Sequence, residues 1–102
     1  MPKFTEDDAL AVVEGNKEAE EFEKKYPECV INVGKLTPKK TEAWIKKNKD
    51  AIKGEPPKNI WFVEYEQLDT EKLILYINPN TKEVVGTEVE KLKPPAEEEE
   101  EE

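Results

Sequence analysis

The chain has 102 residues, enough for one domain of ordinary size and a single core. Charged side chains make up 40% of it and hydrophobic ones 35%, a polar balance that still leaves aromatic and β-branched residues for a modest core. It has no His, no Arg and no Ser, and its one cysteine is Cys29, so most nucleophile, general-base and metal-site constellations are excluded.

The formal charge is −9, and the run Glu97 to Glu102 supplies six of those charges, leaving −3 on the rest. All 16 basic residues are lysines, so the bidentate guanidinium contacts that read guanine or clamp phosphate are missing, and nucleic-acid binding is not expected. Residues Met1 to Thr5 lack a basic segment followed by an apolar run. The longest apolar stretches, Ile60 to Val63 and Leu73 to Ile77, are strand-sized, so the reading is a soluble cytoplasmic protein without membrane attachment. A lone cysteine agrees with a reducing compartment. Abundant Lys and Glu with a single Gln67 and a single Met form the pattern associated with hot environments.

Thr5, followed by Glu6, Asp7 and Asp8, opens a helix: a hydroxyl cap, then acids where the helix dipole favours negative charge. Ala9, Leu10, Val12 and Val13 supply its apolar face. Gly15 and Asn16 interrupt it and start a second segment, Lys17 to Lys25, with Ala19, Phe22 and Tyr26 at helical spacing before Pro27, so a bent or broken helix is expected. From Glu28 to about Leu36 the period changes to two, with Cys29, Ile31 and Val33 on one side. Thr37-Pro38 reads as a turn and Thr41 as a cap. The stripe Thr41, Trp44, Ile45, Asn48, Ala51 and Ile52 then predicts a second helical region, ended by Gly54 and the Pro56-Pro57 connector.

Asn59 to Glu66 and Lys72 to Asn78 predict a hairpin closed by Gln67 to Glu71. Closure about Asp69 sets Tyr65 opposite Leu73, Val63 opposite Leu75 and Trp61 opposite Ile77, an apolar core face. After the Asn78 to Lys82 turn, Val84 to Glu90 forms the last strand, expected to face Val85, Thr87 and Val89 inward. The fold class is thus α+β: a four-stranded antiparallel sheet with an N-terminal bent or broken helix and a second helix between strands 1 and 2. Residues 1–93 form the single domain and 94–102 an acidic tail expected to be disordered.

The run Tyr76-Ile77-Asn78-Pro79-Asn80-Thr81-Lys82-Glu83-Val84-Val85-Gly86 resembles the closing hairpin of the PepSY family, in which an apolar strand enters a D-P-x-T-G-E-V type turn. The helix carrying Ala9-Leu10 and Val12-Val13, and the strand Trp61 to Tyr65, are similar to that family's layout. Asn78 and Lys82 stand where the family usually has Asp and Gly, and the second helix and Pro56-Pro57 depart from it. The resemblance implies a helix packed across a curved antiparallel sheet and a role in inhibiting or chaperoning peptidases, proposed for some members.

Cys29 has no His partner and reads as a buried, inert thiol. Asp7 with Asp8, and Glu64 with Glu66, read as cap and solvated-edge acids rather than an acid/base pair. The Asn78 to Glu83 turn lacks the Gly and bidentate Glu of a calcium loop, and no cofactor or metal is expected. The feature that stands out is the second sheet face, to which the registers assign Val30, Ile60, Phe62, Ile74, Tyr76 and Val84, with Phe62 opposite Tyr76. Either the Thr41 to Ile52 helix lays Trp44, Ile45 and Ile52 over it, or a protein partner or second copy covers it. Ile60, Phe62, Ile74 and Tyr76 are therefore the candidate partner-binding residues. The expected function is a non-enzymatic protein-interaction or inhibitory module of PepSY-like form, acting through this face or an exposed edge. The alternative is a small-ligand binder or enzyme with a pocket between helix and sheet.

Overall fold

The computed structural model describes residues 4–52 and 54–92. The expected acidic tail, 94–102, lies outside the described residues. Three helices and four strands follow in the order α1 (Glu6–Val13), α2 (Lys17–Lys25), β1 (Val30–Lys35), α3 (Pro38–Lys47), β2 (Trp61–Gln67), β3 (Glu71–Asn78) and β4 (Glu83–Lys91). The fold is α+β, and the strands form one antiparallel sheet in the order β1-β2-β3-β4. No helix among the described residues is long and apolar enough to cross a membrane.

The N-terminal helix breaks where its sequence demands. Thr5 caps α1 in a capping box: its Oγ1 accepts from the Asp8 N–H at 3.2 Å, and the Asp8 carboxylate accepts from the Thr5 N–H at 2.9 Å. Gly15 takes the left-handed conformation with φ +83°, and Asn16 then caps α2 by accepting from the Ala19 N–H at 3.0 Å. Both helices face the same way, burying Ala9, Val13, Ala19 and Phe22 against the sheet.

The β2–β3 hairpin has the register read from the sequence, with Trp61 across from Ile77, Val63 from Leu75 and Tyr65 from Leu73. Asp69, at the centre of the turn, adopts φ 62°, a conformation that Asp tolerates better than most residues. Val63, Tyr65, Leu73, Leu75 and Ile77 are all buried in the core beneath α1 and α2. Phe4 adds an edge-on contact with Trp61, ring centroids 5.1 Å apart.

Three expectations need correction. Val84, expected on the second face, pairs with Ile77 and packs against the core, in the place expected for Val85. The register shifts between Tyr76 and Ile77, so Gly86 pairs with Tyr76 and Val85 is the extra residue between them. The bulge changes the facing of the residues before it, while Thr87 and Val89 keep the expected places across from Leu75 and Leu73. Helix α3 starts earlier and stops sooner than the stripe implied. Thr37, not Thr41, is its N-cap, accepting from the Lys40 N–H at 3.2 Å, with Pro38 in the first turn where its missing N–H costs nothing. Asn48 ends the helix by donating from Nδ2 to the Trp44 carbonyl at 2.9 Å, leaving Ala51 and Ile52 beyond its end. Strand β1 spans Val30–Lys35, shorter than the expected Glu28 to Leu36, because the Cys29 N–H closes a turn onto the Tyr26 carbonyl.

Leu75 has no solvent exposure, so Leu75→Ala should cost about 2 to 5 kcal/mol through lost burial and the cavity left behind. Glu66→Ala, on the opposite face of the same hairpin, should cost about 0.5 kcal/mol or less. Urea unfolding of the two variants measures both, and equal small losses would contradict the inward face described here.

Candidate functional site

Helix α3 crosses one end of the second sheet face. At that end Ile60 is wholly buried, and its N–H donates to the hydroxyl of Thr41 at 2.9 Å. Thr41 is itself buried, so this bond ties α3 to the start of β2. The Asn59 side-chain amide, donating to the Leu36 carbonyl, adds a second tie at the same corner. Further along, the Trp44 ring packs on Tyr76 with centroids 5.3 Å apart and lies over Gly86. A Cβ on Gly86 would come within 2.6 Å of the indole, so the close approach requires glycine. Ile45 points elsewhere, lining a hollow with Pro56 and Pro57, and so contributes less to the roof than its spacing implied.

The four candidate residues therefore meet different environments. Ile60 lies beneath α3 and presents no surface. Tyr76 is half-buried under Trp44, and its hydroxyl donates to Glu88 Oε1 at 2.8 Å. Burial, and after it this carboxylate, raise the Tyr76 phenol above its ordinary pKa, so it remains a protonated donor. Phe62 is half-buried, its ring leaning over Gly34 of β1. Ile74 is half-buried between Glu64 and Glu88 in register, beyond the reach described for α3. The open end of the face is charged: Lys72 lies 3.1 Å from Glu90 and 3.7 Å from Glu64.

An open groove of about 410 Å³ runs between α3 and the middle of β4. Trp44, Tyr76 and Gly86 line it together with Lys40 and Lys47 from the helix and Glu88 from the strand. It offers aromatic surface, two ammonium groups and one carboxylate, a set suited to binding. Within it the Tyr76 hydroxyl is held on Glu88. The sequence supplied Trp44 and Tyr76, but Gly86 was hidden from it by the unseen bulge.

One polar cluster went unread in the sequence. Glu71 is 6% exposed and closes the core at the far end of β3. It accepts from the Tyr26 hydroxyl, from Lys91 Nζ at 3.2 Å and from Lys25 Nζ at 3.2 Å. The Tyr26 bond first, then Lys91 and Lys25, hold its carboxyl down at about 2 against an ordinary 4.5, despite the opposing cost of burial. Its alternation with Leu73 and Leu75 was the available signal, because it places Glu71 on the inward side. The cluster joins the end of α2 to β3 and β4, a structural clasp with all three donors spent on one acceptor. Cys29 is half-buried against the core, and burial followed by the nearby Glu23 pushes its thiol up, away from reactive thiolate character.

No family model matches the chain, and neither a curated protein nor a solved structure matches it.

The Glu71 clasp sets a pH dependence. A carboxyl with a depressed folded-state pKa contributes stability that is complete above about pH 4.5 and is lost as pH falls toward 2. Glu71→Gln should therefore be less stable than the parent near neutral pH, and the difference should shrink across that acid range. Urea midpoints at several pH values test this; a difference independent of pH would mean that the charge of Glu71 contributes nothing.

Proposed function

We propose that the chain is a non-enzymatic protein-interaction module, inhibitory in the manner suggested by its PepSY-like hairpin, acting in a reducing, cytoplasmic setting. The observation that carries this reading is the open groove beside α3, in which the Trp44 and Tyr76 rings lie between lysines and Glu88. Aromatic surface with a polar rim is the composition of protein-binding surfaces, where large rigid rings supply contact area at little entropic cost. The hairpin gives a lesser support: Lys82 adopts φ 60°, the left-handed conformation that a Gly at this place in the PepSY turn would favour.

The alternative, a small-ligand binder, draws on the same groove, since it too lies between helix and sheet. Its openness weighs against that reading, because sites for small ligands enclose most of the ligand's surface. The protein-binding reading is preferred for that reason.

Ala43 is exposed on α3 and lines the groove, so Ala43→Trp should fill it without disturbing the core. Affinity capture from the native lysate, read by mass spectrometry, should return a partner with the parent and with Glu66→Ala, and lose it at least tenfold with Ala43→Trp. Melting curves should confirm that all three are folded. Equal recovery with all three proteins would remove the groove from the interaction.

A further inference from the structure

The sheet has two edges, and they are protected differently. Strand β4 carries Glu83, Glu88, Glu90 and Lys91 and the bulge at Val85, features that discourage the approach of another strand. Strand β1 has no bulge, and its only charge is Lys35 at the end; from Val30 to Gly34 it is uncharged. Five large apolar side chains stand out as exposed among the described residues, and three of them gather at this edge: Val30 at 46%, Ile31 at 42% and Leu10 at 40%. Leu10 and Ile31 line one surface hollow on the helix side, while Val30 lies on the opposite face.

The direction of the free backbone groups follows from one bond. The Leu36 N–H donates to the Ile60 carbonyl at 2.7 Å, continuing the β1–β2 ladder. Backbone groups in an antiparallel strand alternate sides, so Val30, Asn32 and Gly34 face β2, and Ile31, Val33 and Lys35 face outward. Among the described residues, no backbone bond outside the sheet ladder engages these three.

We infer that this edge pairs antiparallel with the same edge of a second copy, about a two-fold axis at Asn32, joining two sheets into one of eight strands. Several two-fold registers can align the outward groups. Centring on Ile31 sets Val30 against Asn32, and centring on Val33 sets Ile31 against Lys35. Only the register centred on Asn32 gives both exposed apolar residues suitable neighbours: Ile31 meets Val33, and Val30 meets Gly34. At Gly34 the missing side chain is replaced by the Phe62 ring, to which a Cβ would stand at 2.7 Å. Val30 of one copy thus lies on an apolar shelf formed by Gly34 and Phe62 of the other. A self-complementary two-fold contact of this kind closes on itself and leaves no β1 edge open. This surface is separate from the groove beside α3, so either can fail without the other.

Asn32 is exposed and stands across from Glu64 of β2, so Asn32→Lys gains an opposite charge within its own chain. In the dimer it meets its own copy, like charge against like. Sedimentation equilibrium from micromolar to millimolar chain should show the parent passing to twice its 11.8 kDa mass. Asn32→Lys should raise the dissociation constant at least tenfold, as should Asn32→Glu, and an equimolar mixture of the two should restore association. Val30→Lys, across from Glu66, is the second variant and should also dissociate the dimer. Amide exchange supplies an independent readout, with Ile31 and Val33 protected in the parent and fast in the variants. A parent that remains monomeric throughout overturns the inference. So do variants that dimerise as the parent does, or a mixture that stays apart.

Discussion

The side chains of Trp61, Val63 and Tyr65 stand across from those of Ile77, Leu75 and Leu73, and this surface is the floor on which the helices α1 and α2 rest. Its existence depends on the turn centred at Asp69, because a slip of one residue would send every member of the set to the other face. With 35% hydrophobic residues there is little apolar surface to spare, and Val63, Tyr65, Leu73, Leu75 and Ile77 of this floor are all buried. What remains is placed on the other face, where α3 covers only one end. The division between a well-filled inner face and a partly covered outer one thus follows from a single register.

Two glycines make the outer face possible. Gly34 on β1 receives the Phe62 ring, and Gly86 on β4 receives the Trp44 ring, in both cases closer than any Cβ would permit. They lie on the two strands that flank the central hairpin, so an aromatic ring overlies the sheet on each side of it. The bulge at Val85 contributes to the second of these, since it brings Gly86 across from Tyr76 and allows Val84 to turn into the core beside Ile77. A regular β4 would have sacrificed one of these placements.

The sequence made the hairpin legible because each strand carries an apolar alternation long enough to choose a face, and the turn between them is short. The helix break was legible as well, since Gly15 and Asn16 are suited to end one helix and cap the next. The bulge was not: Val84 and Val85 are adjacent and chemically alike, so alternation alone cannot tell which of them faces the core. Thr37 and Thr41 posed the same difficulty, two identical residues four apart, and only the tertiary bond from Ile60 distinguishes the cap from the buried tie. Glu71 escaped notice for a different reason. A charged residue next to a turn reads as solvated, and its burial becomes affordable only through Tyr26, Lys25 and Lys91, of which two are more than forty residues away in sequence.

The placement of α3 links the two surfaces assigned here. The helix leaves β1 at Thr37 and passes over β2 and β3 toward β4, so it covers one end of the outer face without obstructing the edge of β1. A two-fold axis perpendicular to the sheet preserves its faces, so pairing through β1 would set both α3 helices, and both grooves, on the same side of one continuous sheet. A partner with two suitable segments would then meet two sites in fixed relation, and its second engagement would be intramolecular. The uncharged edge and the aromatic groove, separate in the single chain, would act together in that arrangement, the edge setting the spacing and the groove supplying the contact.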